Sequence, residues 1–159
     1  MRTDCSPRLF KIDVPAIDCF FSGTGDMFAA LTLVRLREAI TGNNLASTKS
    51  WVSPDDVEAV DLPLAKAAEK VLGSIQAVLE KTKKARDEVL GGMSGPMRDM
   101  QKDSEKRSHL RKTKAAEVMI VRNQDDLRDP HVLYRAEPLS SGDAVSKETR
   151  HNSSDFKDQ

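Results

Sequence analysis

The chain has 159 residues, 38% of them apolar and 31% charged, with 25 basic side chains against 25 acidic ones; it is long enough for at most one modest domain. The charge balance excludes a net field that would gather nucleic acid or hold the protein on an anionic membrane, so neither partner is expected. Cys5 and Cys19 have no histidine at ligand spacing, no apolar run approaches the roughly 20 residues of a membrane span, and residues 1–7 lack a signal peptide's hydrophobic segment, so reduced thiols and a cytoplasmic location are expected.

In chain order, residues 8–14 alternate loosely, with Leu9, Phe10, Ile12 and Val14 around Lys11 and Asp13, and Pro15 stops them; this predicts a strand entering a loop. Behind the turn Gly23-Thr24-Gly25-Asp26, helical spacing predicts a helix over 27–40, with Phe28, Leu31, Val34, Leu36 and Ile40 inward and Arg35, Arg37 and Glu38 toward solvent. Residues 41–44 end it. Ser53-Pro54-Asp55-Asp56 reads as the start of a second, long helix: a cap, then proline, then acids in the first turn. Its buried stripe begins at Leu64 and includes Ala67, Ala68, Val71, Leu72, Ile75, Val78, Leu79 and Val89, and Gly91-Gly92 terminates it. The charges of residues 81–86 read as its solvated end. Residues 93–114 are polar and predict a short surface helix or a mobile segment. Residues 116–121 predict a strand, 122–126 a turn and 131–135 a small extended piece. Residues 140–159 have almost no apolar content and are expected to be disordered. Trp51 is expected to pack in the core, and His109, His131 and His151 to be solvated.

The chemistry concentrates in the glycine turn. A helix N-terminus presents unpaired N–H groups and the positive end of the macrodipole, so Gly23 and Gly25 would let anionic phosphate oxygens approach main-chain donors. The same potential favours an ionised Asp26, the form a general base needs. Thr24 would either donate its hydroxyl to a phosphate or cap the helix. The plainer alternative is a helix start alone, with Thr24 as cap and Asp26 complementing the dipole.

The string from Arg8 to Asp18, then Phe21-Ser22-Gly23-Thr24-Gly25-Asp26-Met27-Phe28-Ala29-Ala30-Leu31, resembles the C-terminal signature of pyridoxal kinases in a fungal-looking form. Leu64-Ala65-Lys66-Ala67-Ala68-Glu69-Lys70-Val71, Val121-Arg122-Asn123 and Asp129-Pro130 extend the likeness, which runs from Arg8 to Ala136. The turn alone would indicate only the ribokinase-like superfamily; its flanks favour the pyridoxal branch. The resemblance implies an α/β fold: the C-terminal part of a ribokinase-like three-layer domain over residues 1–139, mostly helical with a remnant of the central sheet. It implies ATP-dependent phosphorylation of the 5'-hydroxyl of pyridoxal, with Asp26 as catalytic base. Gly23, Thr24 and Gly25 would form the anion hole and hold the ATP phosphates, and Ile17, Asp18 and Cys19 would form the loop lining the adenosine side, although a small residue is more usual than Cys19 there.

Kinases of this family are longer, and the sheet, the vitamin-contacting residues and the ligands of Mg2+ are expected in an N-terminal part that precedes the region matched here. No metal ligand is assigned within this chain. The expectation is a truncated gene model or partial product, with an exposed sheet edge, an uncovered helix face and a homodimer reserved for the full-length form. The alternatives are an inactive kinase fragment, a ribokinase-like enzyme acting on a hydroxymethylpyrimidine, and a non-enzymatic interaction module that docks through the helix after Leu64.

Overall fold

A computed structural model describes residues 2–49, 52–91, 110 and 113–139. Two long helices dominate it: α1 (Thr24–Gly42) and α2 (Pro63–Gly91). A short helix, α3 (Gln124–Arg128), follows, and a two-residue strand β1 (Phe10–Lys11) pairs antiparallel with β2 (Glu137–Pro138). The chain is thus mixed α/β, mostly helical, with one two-stranded sheet among the described residues. Trp51, His109, His151, most of residues 93–114 and the expected disordered tail at 140–159 lie outside the described residues.

The long helix begins later than the Ser53-Pro54 signal predicted. Those residues are occupied otherwise: the Arg8 guanidinium donates to the carbonyls of Ser53, Pro54 and Val57, and the Asp55 carboxylate accepts from the amide and hydroxyl of Thr3. These bonds hold the Asp55 carboxyl below its ordinary value of 3.8. Leu62 is extended, the conformation that a following proline enforces, and Pro63 takes the first helical position, where its missing N–H costs nothing.

Helix α2 runs through the middle of the described body and is covered by more than its apolar stripe. Ala67, Val71 and Val78 are buried against the rest of the chain, as the stripe predicted, and Ala65 is buried beside them, whereas Leu64 and Val89 at its ends are exposed. Glu69, Ser74, Gln76 and Thr82 are buried too. Each grips backbone from another segment. Glu69 accepts from the Ala136 amide at 2.9 Å, Ser74 donates to the Asp126 carbonyl at 2.7 Å, Gln76 donates to the Pro15 carbonyl at 3.5 Å, and Thr82 accepts from the Met119 amide at 3.3 Å. Buried polar groups are retained where such partners exist. These contacts make one face of α2 part of the core.

The closing segment crosses α2 where Gly73 leaves room, and a Cβ there would meet the His131 carbonyl oxygen. Gly73→Ala should therefore destabilise the fold by about 1–3 kcal/mol, because overpacking against backbone outweighs the gain in helix propensity of up to about 1 kcal/mol. Denaturant unfolding of the two chains reads the difference.

Helix α1 buries Met27, Arg35 and Ile40 and exposes Phe28, Leu33 and Val34. Phe28, Val34 and Arg35 thus reverse the predicted inward and outward faces. Apolar residues occur nearly all round α1, a pattern that selects no single face, and the packed face is the one that lets Arg35 reach the end of α3. Its guanidinium donates to the carbonyls of Leu127 and Arg128 and pairs with Glu38 at 2.7 Å. Phe28 at 47%, Leu33 at 68% and Val34 at 53% exposure lie away from that packed face.

The predicted strand at 116–121 reduces to one parallel bridge, Glu117 beside Ser22. Ile120 then turns into helical conformation and a 3-10 turn (Val121–Asn123) leads to α3, so the predicted turn at 122–126 is mostly helical. Residues 131–136 form no strand; the extended pairing comes at β2 instead. It gives β1 a partner where an unpaired edge was expected, but only over two residues of the predicted 8–14 strand.

Candidate functional site

Gly23 is the N-cap of α1, with φ 89° and ψ 6°, and no side chain caps the helix. This is the left-handed region that glycine enters without a Cβ penalty. Thr24, Gly25 and Asp26 occupy the first three helical positions, where N–H groups have no partner inside the helix. The reading of Thr24 as the cap is thereby overturned: it sits one residue past the cap, and among the described residues no acceptor meets the amides of Thr24, Gly25 and Asp26. Apart from its chain neighbours and its own helix backbone, no described residue lies within 4 Å of a Cβ built at Gly25. A negatively charged group could approach the turn from that side unhindered.

Asp26 is exposed, and among the described residues its carboxylate meets no hydrogen-bond donor and no cation. The turn is pinned from behind. The Ser22 amide donates to the Ala116 carbonyl at 2.9 Å and the Val118 amide donates to the Ser22 carbonyl at 3.2 Å, while a Cβ at Gly23 would lie 3.2 Å from Val118 Cγ2. The segment 116–118 is thus a wall of the site. The apolar run at 118–121 marked that segment in the sequence, but nothing in it indicated contact with the turn.

Of the adenosine-side candidates, Ile17 and Cys19 are half-buried and Asp18 is exposed, in a loop that closes on itself through the Cys19 amide and the Ile17 carbonyl at 2.8 Å. The loop feeds directly into the glycine turn. It is also tied to the far end of α2: Arg86 donates to Cys19 Sγ at 2.9 Å. Arg86 is therefore no part of a purely solvated helix end, and Lys81 pairs with Asp126 at 2.6 Å. Both cysteines are free thiols. His131 is exposed, as expected.

The described residues suit an anion better than a metal. The uncapped, glycine-built helix start offers aligned donors. Among the described residues no group of three His, Cys, Asp or Glu side chains is placed to hold a metal ion. No described helix is long and apolar enough to cross a membrane.

No protein-family model matches the chain. It is similar to a pyridoxal kinase of Arabidopsis thaliana, 27% identical over 137 residues, which are 84% of this chain and 31% of the relative. It is also similar to a candidate pyridoxal kinase of Schizosaccharomyces pombe, 33% identical over 86 residues, which are 53% of this chain and 24% of the relative. The chain therefore spans less than a third of the length of either curated relative, 31% and 24%. Across the matched stretch the chain is pyridoxal kinase-like in sequence, the relationship that the glycine turn and its flanks implied.

Proposed function

We propose that this chain carries the phosphoryl-transfer end of a pyridoxal kinase site, with pyridoxal and ATP as substrates. The observation that carries the reading is the start of α1: a left-handed Gly23, three open first-turn positions and an unencumbered Asp26, in a chain similar to pyridoxal kinases. In this reading the amides of Thr24, Gly25 and Asp26 hold the oxygens of the transferring phosphoryl group, and the Thr24 hydroxyl donates to a neighbouring phosphate. Asp26 takes the proton of the 5'-hydroxyl as that oxygen bonds to the γ-phosphorus and the bond to the ADP oxygen breaks. The loop of Ile17, Asp18 and Cys19 flanks the nucleotide's other end. Kinases of this kind use a divalent metal to screen phosphate charge, and the described residues offer it no ligand set, so no step is assigned to it.

Transfer of label from γ-labelled ATP to pyridoxal tests the reading, with a hydroxymethylpyrimidine as competing acceptor. Formation of pyridoxal 5'-phosphate, outcompeting the pyrimidine product, is the expected result. Preference for the pyrimidine would move the chain to another ribokinase-like activity, and failure of ATP to perturb the Gly23 to Asp26 amides would remove the phosphate site itself.

A further inference from the structure

The glycine turn does not hold itself. Its left-handed Gly23 is bracketed by Ser22, whose amide and carbonyl are both bonded to the 116–118 segment, and by Val118, whose Cγ2 fills the space beside Gly23. That segment is not part of a sheet: the Ser22 to Glu117 contact is one isolated bridge, and a single bridge has no neighbouring ladder to fix its position. What fixes it lies one residue on. The Met119 amide donates to the hydroxyl oxygen of Thr82, which is fully buried at 0% exposure in the middle of α2. The Met119 carbonyl accepts from the side-chain amide of Asn123 at 2.7 Å, and Asn123 is itself buried. One peptide unit on either side of Met119 is therefore clamped by a buried side chain, and the chain just before it braces the turn.

We propose that Thr82 and Asn123 are positioning residues for the phosphate-binding turn, acting through Met119 and Val118, and that Val118 is the strut against Gly23. The inference rests on the reading of that turn as a phosphate site, but the clamp itself is measurable without any ligand. Neither residue touches the turn. Thr82 sits on a different helix from the site and 56 positions beyond Asp26, so nothing about its sequence neighbourhood associates it with the glycine motif. A fully buried hydroxyl needs a partner, and here that partner is a backbone donor from the segment that shapes the site.

Thr82→Val keeps the volume and removes the acceptor, leaving the Met119 amide unpaired. Amide hydrogen exchange in the full chain should then accelerate at least about tenfold at Ser22 and Val118, the two amides that join the segment to the turn, while Val71 and Val78 in the α1 and α2 core keep their protection. Thr82→Ser should restore the slow exchange, because the hydroxyl is returned. Binding is read in parallel by titrating ATP against the backbone amides of Gly23, Thr24, Gly25 and Asp26. The apparent Kd should weaken about tenfold in Thr82→Val and recover in Thr82→Ser. Val118→Ala removes only the strut and is the milder variant should Thr82→Val not fold; a loss of about threefold in ATP affinity with core exchange unchanged is expected. Unchanged exchange at Ser22 and Val118 in Thr82→Val, or equal loss in Thr82→Ser, would overturn the clamp. Wild-type amides at the turn that ignore ATP would instead overturn the phosphate site while leaving the exchange result to decide the clamp.

Discussion

Under the proposed kinase reading, Asp26→Asn is expected to lower kcat for pyridoxal phosphorylation by about 10²–10⁴ while leaving the KM for ATP unchanged or slightly reduced. The carboxamide has the shape of the carboxylate but cannot take up a proton at neutral pH, so the loss falls on the chemical step. Asp26 is exposed on the first turn of α1 and bonds no other described side chain, so its replacement breaks no packing. The stability change should be confined to the lost dipole complement, about 0.3–1 kcal/mol. Removing a negative charge beside the proposed triphosphate site favours ATP binding, which is why KM and kcat are expected to part company. Steady-state kinetics with a thermal melt of the same preparation checks all three. A kcat within a few-fold of wild type would leave Asp26 as a helix-start acid and nothing more. A parallel fall in kcat and Tm would mean that the side chain holds structure instead.

The parts of this chain that were legible in the sequence are those fixed by local rules. The glycine turn, the helix behind it and its end at residues 41–44 follow from capping chemistry and helical spacing, and α2 follows from its apolar repeat. The start of α2 was misplaced because Asp55 and the Ser53 and Pro54 carbonyls have partners at Thr3 and Arg8, about 50 positions away in sequence. No local pattern encodes such a partner. The face of α1 was misread for a related reason: apolar residues surround the helix, and packing against α2, with Arg35 meeting the end of α3, selects which side turns inward. The predicted strand at 116–121 rested on a short apolar run, Val118 to Val121, followed by a turn signal, and such a run expresses a strand only where a neighbouring strand receives it. Here it meets one residue, Ser22. The site itself divides the same way. Gly23 to Asp26 was readable as a motif, whereas its back wall at Val118 and the clamp from Thr82 and Asn123 come from two distant stretches, residues 118–123 and α2 itself.

Arg35→Ala should destabilise the fold by about 2–4 kcal/mol, a large share of the roughly 5–15 kcal/mol that holds a domain together. The side chain is 7% exposed and joins three things: Glu38 on its own helix and the carbonyls of Leu127 and Arg128 at the end of α3. Bonds from a charged donor exceed neutral ones, and the carbonyls at a helix end carry the negative pole of the dipole, so both contacts are of the stronger kind. Against this stands the cost of burying a guanidinium. That cost is limited because Glu38 is 46% exposed and shares the charge with solvent, which also means that removing Arg35 strands no buried anion. Arg35→Lys separates the contributions. An ammonium keeps the charge but lacks the planar fork that reaches two carbonyls at once, so about half of the loss should remain. Equal stability of the Lys and wild-type chains in denaturant titrations would mean that charge near α3 suffices. Loss in Ala but not in Met, which restores volume without charge, would assign the effect to packing alone. The expected order is wild type, then Lys, then Met, then Ala, because α1 is fastened to the closing segment chiefly by what its one buried guanidinium can donate.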